Sequence, residues 1–245
     1  MALMSGARPW ESIREQTRAE RHAREVGVKF DEQLHRYTIG DRKLLNVTTI
    51  LKLAGYYDFS HIDPIYRDRG KDAHAAVHYS MDGDLDRSHL ETIAETGAFD
   101  LRPYVIAAEK FIMENDIEIV HPEAVVVAAN MGFAGKVDVF GFIRRMKILS
   151  LIDWKLGDLI DAYGVQLAAY KIGWWEMTRA ATGKGEMVGK RFCVRLLPDA
   201  TYRVREYKDN RNDERRFLSA LDVVQTRIEY GTLKPEEVWP EAHAA

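Results

Sequence analysis

The chain has 245 residues, of which 46% are hydrophobic and 30% charged, with a formal net charge of −3; this is the profile of an ordinary globular protein with a sizeable core. That balance gives no global attraction to nucleic acid, so any basic surface must be local. The single cysteine, Cys193, excludes a disulfide framework, a four-cysteine iron–sulfur cluster and a thiolate zinc site within one chain.

Taken in order, Trp10 to Val26 is strongly charged with sparse apolar positions and reads as an exposed or docking helix. Its arginines, Arg14, Arg18, Arg21 and Arg24, either touch phosphate or form a solvated face laced by the segment's own glutamates. Phe30 to Leu45 predicts a hairpin turning at Gly40-Asp41, and Asn46 to Ala54 a helix stopped by Gly55. Asp63-Pro64 is a strong helix start; the pattern runs to about Met81, interrupted at Gly70. Ser88 and Glu91 have capping-box spacing for another helix, and Leu101 to Asn115 gives one more, with Val105, Ala108, Phe111 and Ile112 on its buried side. From Ile117 to Ala129 the material is strand-like but broken by Pro122, and a turn at Asn130-Met131-Gly132 follows. After Asp161 a helix runs to about Ala180, then Lys190–Leu197 and Thr201–Tyr207 form a hairpin through Pro198-Asp199, and Asp213 to Tyr230 is a long helix before a polar tail. No run approaches a transmembrane span and no signal-peptide block is visible, so no membrane association and a cytoplasmic location are expected.

The most informative stretch is Phe133 to Tyr170. Two apolar runs, Val137–Ile143 and Ile148–Trp154, flank the polar patch Arg144-Arg145-Met146-Lys147 and predict two hairpin strands. A turn centred between Arg145 and Met146 sets Asp138 opposite Asp153 and Lys136 opposite Lys155. Directly opposed side chains have Cβ atoms roughly 4.5–5.5 Å apart, and like charges there are destabilising. Two carboxylates held so close are best explained by a divalent cation between them, oxygen ligands being what Mg²⁺ prefers. In Asp153-Trp154-Lys155 the strand period puts the carboxylate and the ammonium on one face. Lys155 can then orient an attacking water or stabilise charge building up on phosphate. Gln166 and Tyr170, four apart on the next helix, share a face and can reach substrate together.

Gly135-x-x-Asp138, Asp153-x-Lys155 and Gln166-x-x-x-Tyr170, in that order, resemble the core of the PD-(D/E)xK nuclease superfamily, specifically its RecB-like branch. Arg69-Gly70-Lys71-Asp72-Ala73-His74 is similar to that branch's R-G-x-x-x-H helix motif, and Asn46 to Leu51 resembles a segment common before it in phage members. The resemblance implies an α/β (α+β) fold: a restriction-endonuclease-like core with a central mixed β-sheet flanked by helices. The expected layout is one nuclease domain over 1–245, with an appendage at 1–45, a core at 46–230 and a tail at 231–245. It further implies a Mg²⁺- or Mn²⁺-dependent deoxyribonuclease, most simply an exonuclease in recombination, repair or phage replication, in a bacterial or phage-infected host cytoplasm. His74, Asp138, Asp153 and the Trp154 carbonyl would hold the metal, and Asp138, Asp153, Lys155, Gln166 and Tyr170 would form the catalytic set. The partner would be DNA, single-stranded or at duplex ends, together with a recombination or replication protein. The chain departs from the family at Leu156, where relatives often carry a small hydroxyl residue, and it lacks the iron–sulfur cysteines of one subgroup.

Other residues keep two readings. Glu123 is either an extra acidic residue near the metal or a solvated strand end, and His78 either joins His74 in a zinc site or is a packed or surface histidine. Gly183-Lys184-Gly185 lacks P-loop spacing and reads as a loop. Trp154, Tyr163, Trp174 and Trp175 either stack on bases or fill the core. Arg69, Lys136, Gln166, Tyr170, Arg191 and Arg195 are the candidate DNA contacts. The last two belong to a basic stretch, Lys190 to Arg216, with Arg203, Arg205 and Arg211. The alternative functions are an endonuclease or nickase with the same centre and a non-catalytic DNA-binding module.

Overall fold

The alternating apolar runs of the chain assemble into one mixed sheet whose two faces each carry a layer of helices. The computed structural model describes residues 27–31, 34, 36–58, 63–96 and 99–239. The segment Trp10 to Val26 and the end of the polar tail lie outside the described residues. The strands are β1 (Val28–Asp31), β2 (Arg36–Ile39), β3 (Arg42–Asn46), β4 (Ile117–Ala128), β5 (Phe133–Ile143), β6 (Ile148–Lys155), β7 (Lys190–Leu196) and β8 (Tyr202–Glu206). The helices are α1 (Val47–Leu53), α2 (Pro64–Asp82), α3 (Arg87–Thr96), α4 (Arg102–Glu114), α5 (Ala162–Thr182), α6 (Asn210–Glu229) and the single turn α7 (Pro235–Val238). Among the described residues none of these helices is long and apolar enough to cross a membrane.

The sheet runs β1-β2-β3-β5-β6-β7-β8, with β4 paired to β5 as well. The β3–β5 and β6–β7 pairs are parallel and the others antiparallel. Helices α1, α5 and α6 pack on one face with Phe140, Leu151 and Cys193; α2, α3 and α4 pack on the other with Val139, Ile152 and Trp154. This is the mixed α/β arrangement expected from the sequence, a central mixed sheet flanked by helices. The β1–β3 meander, assigned by sequence to an appendage, enters the same sheet through the pairs Leu45↔Phe133 and Asn46↔Ala134.

Several local expectations need correction. Gly70 does not interrupt α2, which starts at the Asp63 cap and runs unbroken to a left-handed Gly83; one glycine costs about 1 kcal/mol in a helix interior and is tolerated. The cap of α3 is Asp86, whose carboxylate accepts the N–H of Ser88 and of His89, rather than Ser88. Helix α6 begins at Asn210 with Asp209 as its cap, ahead of the expected Asp213. Pro122 does not break β4, which continues through it with a register shift between Ile119 and His121. A proline is tolerated where its missing N–H faces an unpaired edge, and β4 pairs only with β5.

Candidate active site

Strand β5 changes neighbour along one edge. Its first residues pair with β3 at Phe133 and Ala134, and its last pair with β6 from Val139 to Ile143. Residues 135–138 lie between these two ladders, and the site is built around that gap. The β5–β6 register has Val139 opposite Ile152, the register that the sequence implied, but the ladder ends there. Asp138 and Asp153 are the next residues, where the strands part.

The Asp138 carboxylate fills the parting. Its Oδ2 accepts the Trp154 N–H at 2.7 Å, a donor that a continued ladder would have used, and lies 3.4 Å from His74 Nδ1 on α2. In an antiparallel strand the N–H and C=O of one residue address the same neighbour, so the Trp154 carbonyl faces the same gap. Asp153, almost fully buried, pairs with Lys155, and Cys193 Sγ lies 3.8 Å from the same oxygen. The Lys155 ammonium also sits 4.5 Å from the centre of the Tyr163 ring.

The electrostatics divide the two carboxylates. Burial pushes Asp138 up, but His74, then Lys155 and the Trp154 N–H, outweigh it and hold the carboxyl below its ordinary range. Burial raises Asp153, and with Asp138 beside it the pairing to Lys155 does not bring it back down. Burial alone would lower Lys155; the Asp153 and Asp138 charges instead raise it well above an ordinary lysine, so it stays an ammonium. His74 is likewise lowered by burial and raised more strongly by Asp138.

Helix α5 supplies the next shell. Gln166 Nε2 donates to the Tyr170 hydroxyl at 2.8 Å, and both are buried. The Tyr170 ring packs on the bare Cα of Gly135, where a Cβ would stand 2.6 Å from Cε1. Gly135 is required here by close approach. Lys155, Tyr163 and Gln166 line one wall of a cavity of about 380 Å³; Thr48, Thr49, Lys52, Tyr57 and Arg67 complete it. Sequence reasoning missed these five. The sequence singles out Asn46 to Leu51, but nothing local shows that α1 and the start of α2 close over β6. A larger cavity of about 640 Å³, between α2, α3 and residues 99–101, is mainly apolar and its lining includes Asp72, Asp84 and Asp86 with no lysine or arginine. It suits an anionic substrate poorly.

The structure thus brings together His74, Asp138, Asp153, Trp154, Lys155, Gln166 and Tyr170. The remaining predicted residues make contacts of their own outside this cluster. Glu123, at φ 52°, pairs with Lys136, whose ammonium sits over the Phe30 ring rather than across from Lys155. Arg69 is packed against the rings of Tyr66 and Phe99. Arg191 is not a DNA contact: at 1% exposure it donates to the Gly164 carbonyl and the Asp213 carboxylate and cannot meet a phosphate. Arg195 pairs with Asp158. His78 lies 3.5 Å from Asp82. Trp154 and Trp174 are core residues, whereas Tyr163 lines the cavity.

Among the described residues no three His, Cys, Asp or Glu side chains stand as a ready metal-binding group, Asp153 being held by Lys155. In kind the donors still fit a divalent cation: two buried carboxylates, an inward backbone carbonyl and an imidazole. Mg²⁺ is ordinarily bound by one or two carboxylates plus waters and substrate phosphates rather than by an all-protein cage.

No family model and no curated protein matches the chain. Among solved structures, a candidate exonuclease from Eubacterium rectale is similar over 78% of this chain and 83% of its own, at 15% identity and a TM-score of 0.43. The alkaline exonuclease LHK-Exo from Laribacter hongkongensis is similar over 77% and 93%, at 13% identity and a TM-score of 0.34. Likenesses this distant leave the functional reading to the site itself.

Proposed function

We propose that the protein is a metal-dependent deoxyribonuclease of the RecB-like branch of the PD-(D/E)xK superfamily, acting as an exonuclease in DNA recombination, repair or phage replication. One observation carries the reading: a buried Asp153–Lys155 pair stands with Asp138 and His74 at a strand gap, and Lys155 also lines a cavity walled by Lys52 and Arg67. Carboxylates on one side and cations on the other suit a bound cation and a phosphodiester side by side. When bound, Mg²⁺ or Mn²⁺ supplies Lewis acidity toward the phosphoryl oxygen and water. His74, Asp138, Asp153 and the Trp154 carbonyl are the groups that would hold it.

The chain's own residues do the rest. Lys155, kept protonated by Asp153, orients the attacking water and offers its charge to the phosphoryl oxygens as negative charge builds. Gln166 and Tyr170, locked to each other and wedged against Gly135, fix the wall on which the phosphate rests. Lys52 and Arg67 hold the flanking backbone from the opposite side, and the aromatic rings of Tyr57 and Tyr163 exclude water from around the ammonium.

The test is degradation of end-labelled single- and double-stranded DNA in Mg²⁺ and Mn²⁺, with EDTA as control. Lys155→Ala and Asp138→Asn should each abolish cleavage while the circular-dichroism spectrum is retained. Cleavage that persists unchanged in both purified variants would sink the reading. A closed circle cut as fast as a linear strand identifies an endonuclease or nickase. The direct Asp153–Lys155 contact also suits a non-catalytic DNA-binding module, for which binding without cleavage in either metal would decide.

A further inference from the structure

Beyond Lys155 the sheet carries cations that this chemistry leaves unused. Strand β7 runs parallel to β6 with Arg195 beside Lys155, and β8 returns with Arg203 beside Arg195. Residues paired across neighbouring strands project from the same face, so the three cations form one row. Strands are spaced about 4.8 Å apart, and the row therefore runs roughly 10 Å from Lys155 to the last strand of the sheet. Like charges side by side on a sheet repel, and the row contains no carboxylate of its own.

Lys155 is neutralised within β6 by Asp153; the partner of Arg195 comes from the connection between β6 and α5. There Asp158 pairs with Arg195, although the Asp158 side chain is 84% exposed; Arg203 is exposed as well. The connection does not depend on that ion pair, because Arg205 donates to the Leu159 carbonyl and the Tyr207 hydroxyl to the Ile160 carbonyl. Asp158 can therefore be displaced while the backbone around it stays anchored.

We propose that Lys155, Arg195 and Arg203 form a phosphate track, along which the nucleic-acid strand cut at Lys155 runs toward β8 with one phosphate taking the place of Asp158 on Arg195. The inference rests on the nuclease reading and names the path of its substrate. At a rise of about 3.4 Å per nucleotide in a stacked, helical strand, a 10 Å row spans about three stacked nucleotides. The exchange is favourable because an exposed ion pair contributes little, whereas each phosphate neutralised releases condensed counterions.

The test is fluorescence anisotropy of a labelled single-stranded 15-mer in EDTA, which prevents cleavage, across a salt series. Arg203→Ala should lower the log–log salt slope by about 0.7, and Arg195→Ala/Arg203→Ala by about 1.4, at about 0.7 per single-strand phosphate contact. Asp158→Asn should tighten binding several-fold. Melting curves of the purified variants establish that each is folded. A salt slope in the double variant equal to that of the unaltered protein, or weaker binding by Asp158→Asn, overturns the track. Cleavage in Mn²⁺ is read separately: DNA cut with an unchanged slope keeps the nuclease and removes the track, and the slope change without any cleavage does the reverse.

Discussion

Gly135 and Tyr170 show how much a single contact carries in this site. Both stand in motifs legible in the sequence, yet their meeting across β5 and α5 is a property of the fold. Replacing Gly135 by alanine sets a Cβ 2.6 Å from Tyr170 Cε1 and 3.1 Å from Val47 Cγ2. Overpacking of this kind costs typically about 1–3 kcal/mol. Gly135→Ala should therefore lower the unfolding free energy measured in urea by that amount, with a lower midpoint, and misplace the Tyr170–Gln166 wall; Tyr170→Phe, which leaves the buried Gln166 amide without its acceptor, should cost about 1–3 kcal/mol. An unchanged midpoint for Gly135→Ala would show that the ring is free to retreat. Lys136 gives the opposite lesson. Extending the hairpin register by arithmetic pairs it with Lys155, but the ladder stops at Val139–Ile152 and Lys136 pairs with Glu123 instead.

At the scale of elements, α5 is held in place by a residue that looked like a DNA contact. Arg191 on β7 ties the Gly164 carbonyl of α5 to Asp213 of α6 from within the core. Removing one member of a buried ion pair strands the other, typically at about 3–5 kcal/mol, whereas an apolar pair of similar volume is tolerated. Asp213→Ala should lose stability in that range by chemical denaturation, and Arg191→Met/Asp213→Leu should recover most of it; a double variant as unstable as the single one would contradict this. The caps respond to pH. The hydrogen bond from the Asn212 side chain lowers the folded-state pKa of Asp209. Its stabilising contribution is thus complete above the unfolded carboxylate value of about 3.9 and is lost as pH falls through the lower folded value. Asparagine caps equally well without titrating. Between pH 5 and pH 2 the unaltered protein should lose more stability than Asp209→Asn, and parallel losses would remove the cap from the account.

For the molecule as a whole, the proposed centre joins elements from both faces of the sheet: His74 from α2 on one side, Gln166 and Tyr170 from α5 on the other. A cation bound there should stabilise the fold as well as support cleavage. At one hundred times its dissociation constant a ligand adds about 2.7 kcal/mol, so Mn²⁺ should raise the melting temperature relative to EDTA. Asp138→Asn should abolish that rise. A rise of equal size in the variant would place the cation elsewhere.

The sequence by itself determined the order of strands and helices and the hairpin register, because strand and helix periods and capping act over a few neighbouring positions; the set of residues from His74 to Tyr170 is proposed from the resemblance of its motifs to known nucleases. Only the tertiary structure decided where β5 loses β3 and gains β6, so that Asp138 lies in an unpaired gap, and that Lys52 and Arg67 complete the cavity while Arg191 is sealed in the core. Those outcomes depend on burial and contact between residues far apart in the chain. A row of arginines on a strand has the same period whether a helix covers it or solvent does; here α5 and α6 cover Arg191 and leave Arg203 exposed.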